Sequence, residues 1–387
     1  MIIEPKFRGF ICTAAHPLGC EENVKEQIEY VKKMGEIKGP KNVLIIGAST
    51  GYGLASRIVA AFGAGANTLG VSFEREGNGK RTATAGWYNT EAFQRLATEK
   101  GGFHKSINGD AFSNEIKEQV IEEIKNNMGK VDLVVYSLAA PRRTDPKTGK
   151  TYNSVLKPIG QNFSGKTFDF HTFKTSEAFI PEASEEEIHD TIKVMGGEDW
   201  KLWIEELDKA GVLENGVKTL AYSYIGPKLT YPMYNEGTIG MAKKDLDKKA
   251  AEINELLSKI QGEAFVSVNK GLVTQASSAI PVVPLYISIL YKVMKEKNIH
   301  EGCIEQIFRL FSQRVYGGDL QLDSEKRIRI DDWELRDDVQ EEVLELWQKV
   351  DDDNITEVSD AEGFRQEFLK LFGFGLSNID YSKDVEI

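Results

Sequence analysis

The stretch KNVLIIGASTGYGLASRIVAAFGAG, residues 41–65, holds residue types that suit two different chemistries. Gly47, Ser49 and Gly51 fit G-x-S-x-G, in which a serine on a sharp strand-to-helix turn acts as a nucleophile. Gly47, Gly51 and Gly53 fit a loop in which the backbone approaches a dinucleotide pyrophosphate. A second set is phenolic and cationic. Tyr224 and Lys228 have three residues between them, and Tyr234 and Lys243 have eight. A phenol can stabilise charge developing on an oxygen and supply a proton, and a nearby ammonium favours its ionised form. A third set, Cys12, His16 and Cys20, is spaced by four, as metal ligands could be.

A nucleophile elbow needs an acid and a histidine as partners. None of His16, His104, His171, His189 and His300 has a local setting that marks a general base, and the elbow leaves Gly53 unexplained. The dinucleotide reading explains more. Gly47 permits the turn, while Gly51 and Gly53 allow close approach and helix-on-strand packing. The helix expected from about Leu54 offers free N–H groups to phosphates. Glu74 follows the next apolar strand, where a carboxylate can accept from ribose hydroxyls. The spacing Tyr224–Lys228 fails as a helical pair, because Gly226 and Pro227 interrupt it. Tyr234 and Lys243 would fall on opposite faces of one helix. Tyr234 is therefore expected before the regular helix, with Gly237 near the bend. Pro17 and Gly19 are expected to keep a helix from aligning the Cys-His-Cys set, and no second ligand pair follows, so no metal is expected.

The elements that must position these residues alternate. NVLIIG, TLGVSF and VDLVVYSLAA read as short apolar strands and FHKSIN as a weak third strand between the last two, separated by helices that include LASRIVAAFG and SNEIKEQVIEEIKNNMG. Continuous apolar strands with helical crossovers imply an α/β doubly wound parallel sheet of Rossmann type. Residues 141–218 read as an insert with hairpin material, and TLAYSYIG and AFVSVNKGLVT return to the sheet. One compact unit is expected. It has a preface over 1–40, a core over 41–275, and a mainly helical region over 276–387 that covers the substrate site. DDWELRDDVQEEVLELW reads as a surface helix with Val339, Val343, Leu344 and Trp347 inward.

The chain has 387 residues and a net charge of −12, which disfavours nucleic acid as a partner. Three cysteines form no disulfide framework, so a reducing cytoplasm is expected. The N-terminus lacks the apolar stretch of a signal peptide. The most apolar run, AIPVVPLYISILY, is too short to span a bilayer and reads as a buried or substrate-facing helix with its start marked by Pro281 and Pro284.

The glycine spacing resembles that of the short-chain dehydrogenase/reductases. The segments GASTGYGLA, TAGWYN, DAFSNE, YSLAAPRR, MGGEDW, AYSYIG, EGTIGMAKKDL and VNKGLVT extend the resemblance over essentially the whole chain. With the Tyr-x8-Lys spacing, they resemble one branch of that family: the large monomeric trans-2-enoyl-CoA reductases and the homologous bacterial enoyl-acyl-carrier-protein reductases. The turn after the fourth strand departs from the wider family, because YSLAA has no Asn-Asn pair.

The resemblance implies NADH as cofactor and a short-chain enoyl-CoA as substrate, within fatty acid or butyrate metabolism. It implies Tyr234 as the catalytic acid, and Lys243 on the nicotinamide ribose, where it lowers the tyrosine pKa. Lys244 stands beside it as an assisting cation. Tyr224 would contact the thioester carbonyl. Leu272, Val273 and Thr274 would line the nicotinamide, Leu138 and Ala139 the ribose, and Asp110 and Ala111 the adenine. The expected cofactor contacts are completed by Gly47, Ala48, Ser49, Thr50, Gly51, Tyr52, Phe73 and Glu74. A monomer is expected. Arg142 and Arg143 are either coenzyme A phosphate contacts or a solvated pair. Acyl carrier protein is the alternative carrier, disfavoured by the chain's own acidity. Two readings of other classes stay open. A serine hydrolase would lose turnover on Ser49→Ala, and a non-catalytic NADH sensor would never oxidise the cofactor it binds.

Overall fold

The computed structural model describes residues 1–8 and 11–387. Its centre is a parallel sheet of seven strands: β1 (Asn42–Ile46), β2 (Asn67–Ser72), β3 (His104–Asn108), β4 (Val131–Tyr136), β5 (Leu213–Ser223), β6 (Glu263–Val268) and β7 (Ile328–Arg329). Their spatial order is β7-β6-β5-β4-β1-β2-β3. The chain runs outward from β1 in both directions, so a crevice opens where β1 and β4 diverge, the usual ligand position in such sheets.

Alternating side chains divide the core into two faces. Val43, Ile45, Leu133 and Val135 pack with the helices Pro17–Met34, Gly51–Ile58 and Ala85–Lys100. Leu44, Ile46, Val134 and Tyr136 pack with Asn114–Asn127, Glu198–Lys209 and Thr238–Leu257. Burial on both faces is why these strands read as continuous apolar runs. A third cluster covers the C-terminal ends of the strands. It joins the N-terminal segment, Phe168 and Phe170, the apolar helix Val283–Glu296 and the helix Ala361–Lys370.

The expected hairpins are present: Arg142–Thr144 pairs with Thr151–Asn153, and Phe163–Asp169 with Lys174–Ile180. Four expectations are corrected. The first helix begins at Pro17, a residue expected to keep a helix away from this stretch, because proline is tolerated where no intrahelical N–H is needed. Cys20 therefore lies inside a helix, and His16 caps it by accepting from the Gly19 N–H at 3.2 Å. β5 begins at Leu213, inside the stretch read as an insert, and β7 comes from the region read as helical. Leu344 is exposed, although Val339 and Val343 of its helix are buried. Among the described residues no helix is long and apolar enough to cross a membrane.

Candidate active site

β1 ends at the glycine loop. Gly47 has φ +88°, and a Cβ there would stand 2.1 Å from the Ser137 carbonyl oxygen, so the exits of β1 and β4 touch. A Cβ on Gly53 would meet the Gly47 oxygen at 1.8 Å. Only glycine lets this helix close on the strand. Gly51, at φ +52°, faces open space, and the helix Gly51–Ile58 starts from Thr50 beside it. The first N–H groups of that helix are the natural holders of a pyrophosphate.

Ser49 donates to Glu74 Oε1 at 2.6 Å, and its carbonyl accepts from Asn89 Nδ2 at 3.1 Å. No histidine stands at this hydroxyl among the described residues. His16 caps a helix, His104 joins Thr68, His171 stacks on Phe7 and Phe170, His189 faces Asp190, and His300 faces Glu367. A serine tied to a carboxylate and lacking a base does not fit the hydrolase elbow. The Glu74 backbone is fixed from both sides by Asn108, whose Oδ1 accepts the Glu74 N–H at 2.7 Å and whose Nδ2 donates to the Glu74 carbonyl at 2.8 Å.

Above this loop lies a cavity of about 1400 Å³. That exceeds the roughly 300–1,000 Å³ of an ordinary ligand pocket and leaves space for a second molecule beside a dinucleotide. Thr50, Gly51, Tyr52, Glu74, Leu138, Ala139, Tyr224, Tyr234, Lys243, Leu272 and Thr274 line it. Gly47, Ala48 and Ser49 lie beneath that wall. Val273 is buried, its N–H donating to the Tyr291 hydroxyl at 3.0 Å. Phe73 is 76% exposed and is not part of the cavity lining. Asp110 and Ala111 follow β3 outside that lining. The Ala111 carbonyl is taken by Lys117 Nζ and Trp203 Nε1, and Asp110 accepts from the Phe112 N–H.

Tyr224 follows β5 directly. Gly226, at φ +73°, then turns the chain, so Lys228 cannot share a helical face with it. Tyr234 sits in the turns before the helix Thr238–Leu257, as its spacing to Lys243 requires. Its carbonyl accepts from Gly237 and Gly240, and a Cβ on Gly240 would meet the Asn235 oxygen at 1.9 Å. The two tyrosine rings meet edge to face, 5.0 Å between centroids. Among the described residues the Tyr234 hydroxyl has no hydrogen-bond partner. Burial pushes its pKa up. Lys243 Nζ donates instead to the Tyr222 carbonyl at 3.2 Å, and burial pulls its own pKa down to about 8 against the opposing pull of Asp247. Burial, with no offsetting pull from Lys243, keeps the phenol neutral here. Lys244 lies on the exposed side of the helix.

Several wall residues escaped the sequence reading. Residues of the N-terminal segment, among them Ile3, Thr13 and Ala15, cover the cavity. Lys270 lines it, with Nζ on the Gly271 carbonyl at 3.0 Å. The cavity lining includes the cations Lys6, Arg75, Lys80 and Arg81 and the apolar residues Ile280, Val283, Ile287, Phe368 and Phe372. Arg143 is neither a solvated residue nor in the cavity lining; it is buried and donates to Glu198 Oε2 and the Lys193 carbonyl, both at 2.7 Å. Among the described residues no cluster of three or more His, Cys, Asp or Glu forms a candidate metal site.

Residues 81–316 match the trans-2-enoyl-CoA reductase catalytic region, and residues 2–79 the NAD(P)H binding domain of trans-2-enoyl-CoA reductase. The chain belongs to the trans-2-enoyl-CoA reductase family. A "Trans-2-enoyl-CoA reductase [NADH]" of Clostridium perfringens is 63% identical, covering 100% of this chain and 99% of the relative. An "Enoyl-[acyl-carrier-protein] reductase [NADH]" of Coxiella burnetii is 59% identical, covering 100% and 96%. The crystal structure of Clostridium acetobutulicum trans-2-enoyl-CoA reductase in complex with NADH matches with a TM-score of 0.98 at 52% identity, covering 100% and 98%. The Treponema denticola trans-2-enoyl-CoA reductase in complex with NAD matches at 0.96 and 53%, covering 100% and 98%.

Residues 322–385 match the enoyl reductase FAD binding domain. This part of the reductase does not fit a flavin. Val339, Val343 and Phe364 fill its inner face as packed core, and among the described residues only Phe368 and Phe372 of the segment reach the cavity. The glycine loop, by contrast, offers a dinucleotide free N–H groups and an open approach.

Proposed function

We propose that this chain reduces the trans-2 double bond of a short-chain enoyl-CoA at the expense of NADH, as in crotonyl-CoA to butyryl-CoA. The observation that carries the reading is the Tyr224–Tyr234 pair, which lines one cavity together with the glycine loop and a set of apolar side chains. NADH supplies the hydride that goes to the β-carbon. Negative charge then develops on the thioester oxygen. Tyr234, a neutral phenol at physiological pH with its proton uncommitted, stabilises that oxygen and supplies a proton as the enolate collapses at the α-carbon. Lys243 holds the nicotinamide ribose, and Leu272 and Thr274 flank the ring. Leu138 and Ala139 bound the ribose, and Tyr224 limits where the thioester lies. Apolar lining residues such as Ile280, Val283 and Ile287 suit the acyl chain, and Lys6, Arg75, Lys80 and Arg81 suit the coenzyme A phosphates.

The test is NADH oxidation followed with crotonyl-CoA, a long-chain enoyl-CoA and an enoyl-acyl-carrier protein in parallel. The highest kcat/KM is expected with crotonyl-CoA. Preference for the carrier protein would move the chain to the fatty-acid-synthesis reading, and no oxidation with any of the three would leave an NADH-binding protein without this activity. We further read the chain as a cytoplasmic monomer organised as one unit, a reading supported by its three free cysteines and the sheet shared between its halves. Sedimentation at micromolar concentration checks the oligomeric state.

Glu74 governs the choice of cofactor. Its carboxylate can accept from free ribose hydroxyls and would repel a 2′-phosphate. A Cβ on Gly86 would stand 2.1 Å from Glu74 Oε1, so the carboxylate is held against the start of the helix Ala85–Lys100. Glu74→Ser is expected to raise the NADPH-to-NADH ratio of kcat/KM by about tenfold, the scale of one lost charge contact. An unchanged ratio would remove Glu74 from this role.

A further inference from the structure

Glu334 lies in DDWELRDD, a stretch that reads as solvated charge, yet it is 1% exposed. Donors from three parts of the chain converge on its carboxylate. The Tyr224 hydroxyl after β5 donates to Oε1 at 3.0 Å. The Tyr286 hydroxyl, on the helix Val283–Glu296, donates to the same oxygen at 2.7 Å. The Gly271 N–H, in the loop after β6, donates to Oε2 at 2.7 Å. Gln340 Nε2 ties the arrangement from behind, donating to the Glu334 carbonyl at 2.6 Å and to the Tyr286 hydroxyl at 3.2 Å. There is little slack: a Cβ on Gly271 would stand 3.0 Å from the Tyr224 hydroxyl and 3.3 Å from Glu334 Oε1.

We propose that Glu334 is a positioning residue for the reduction. One carboxylate holds the Tyr224 hydroxyl and the Gly271 N–H together. It thereby sets where Tyr224 stands against Tyr234 and where the loop Gly271–Thr274 lies in the cavity wall. This rests on the reading of Tyr224 and Tyr234 given above. Burial raises the Glu334 pKa, while Lys270 and the donated hydrogen bonds favour its charge. An ionised carboxylate only accepts, so the Tyr224 proton is directed at Glu334. That leaves Tyr234 as the tyrosine free to donate into the cavity. The same grip couples a tyrosine on the substrate side to the loop on the cofactor side, so a shift at Glu334 would misplace both together.

The test compares Glu334→Gln, Tyr224→Phe, the double variant and Tyr286→Phe, each checked by thermal unfolding and by NADH fluorescence titration. Glutamine keeps the shape. With its oxygen on the two hydroxyls, however, it turns an NH₂ group toward the Gly271 N–H, and two donors then face each other. Glu334→Gln is expected to lower kcat by about 10-fold to 10²-fold, the scale of a misplacement of an ångström, with smaller changes in NADH affinity. The double variant should be no slower than the slower single variant, because both act through one contact. A near wild-type kcat in Glu334→Gln, or losses that multiply in the double variant, would overturn the positioning role while leaving the Tyr224 reading in place. Full activity of Tyr224→Phe would instead show that the reading of Tyr224 had failed, and the positioning role with it. If Glu334→Gln does not fold, Tyr286→Phe decides. It removes one anchor of the carboxylate and should lower kcat several-fold with NADH binding retained; an unchanged kcat there overturns the proposal.

Discussion

Tyr234→Phe is expected to keep the fold and NADH binding and to lose turnover with crotonyl-CoA by about 10²–10⁴-fold, the range for removal of a general acid or oxyanion donor. The variant loses one oxygen atom. The ring, which packs edge to face on Tyr224, is retained. Among the described residues the hydroxyl has no partner, so its removal strands no buried group. The loss should therefore appear in kcat, with little change in melting temperature or in NADH affinity. Steady-state kinetics with both substrates, beside a fluorescence titration of NADH, separates these quantities. A Phe variant with near-full kcat would remove Tyr234 from the chemistry. Because burial keeps the phenol neutral to well above its ordinary pKa, the wild-type rate should not rise or fall with its ionisation below pH 10.

Lys243→Met is expected to move activity and stability in opposite directions. Turnover should fall by about 10²–10³-fold with the loss of the ammonium. The apo protein should become more stable at neutral pH. Burial lowers the Lys243 pKa from 10.5 to about 8, so the charged form is held at a disadvantage. That shift corresponds to at most roughly 3–4 kcal/mol, reduced by the water that reaches this half-buried position. Between about pH 8 and 10.5 the folded protein holds fewer protons at Lys243 than the unfolded chain, so the wild type gains stability as pH rises. The advantage of the Met variant should thus be full below about pH 8 and fade as pH climbs toward 10.5. Urea unfolding of the apo proteins at pH 7 and pH 10 measures it. A Met variant less stable than wild type at pH 7 would show that the Tyr222 carbonyl contact outweighs the desolvation of the ammonium.

The parts of the site that were legible in the sequence are those with local causes. Gly47, Gly51 and Gly53 announce a loop because a single turn demands them, and the breaks at Gly226 and Pro227 separate the false tyrosine–lysine pair from the real candidate. The strands β1, β2 and β4 were readable because burial on both faces removes polar alternation, whereas the edge strand β3 leaves Lys105 and Asn108 exposed. Other features depend on distant partners. Glu334 looks like surface charge until Tyr224, Tyr286 and Gly271 surround it. β7 has only two residues and no pattern of its own; its register comes from Ser267 and Val268. Pro17 suggested a break in the chain and instead opens a helix, since the first helical position tolerates it. The N-terminal segment carries no signature of a cavity wall, because its role is set by what it lies against.

The sheet order has a consequence for biosynthesis. β7 pairs with Ser267 and Val268 of β6, but about 60 residues separate the two strands in the chain. At roughly 5–20 residues per second, a ribosome needs about 3–12 s to bridge that interval. During this time the end of β6 is an open edge on a nascent chain, a template for unwanted strand pairing. A product that stops short of residue 328 carries the glycine loop, Tyr234 and Lys243. It lacks Glu334 and the last strand of the sheet. Such fragments are expected to aggregate rather than to act as small reductases.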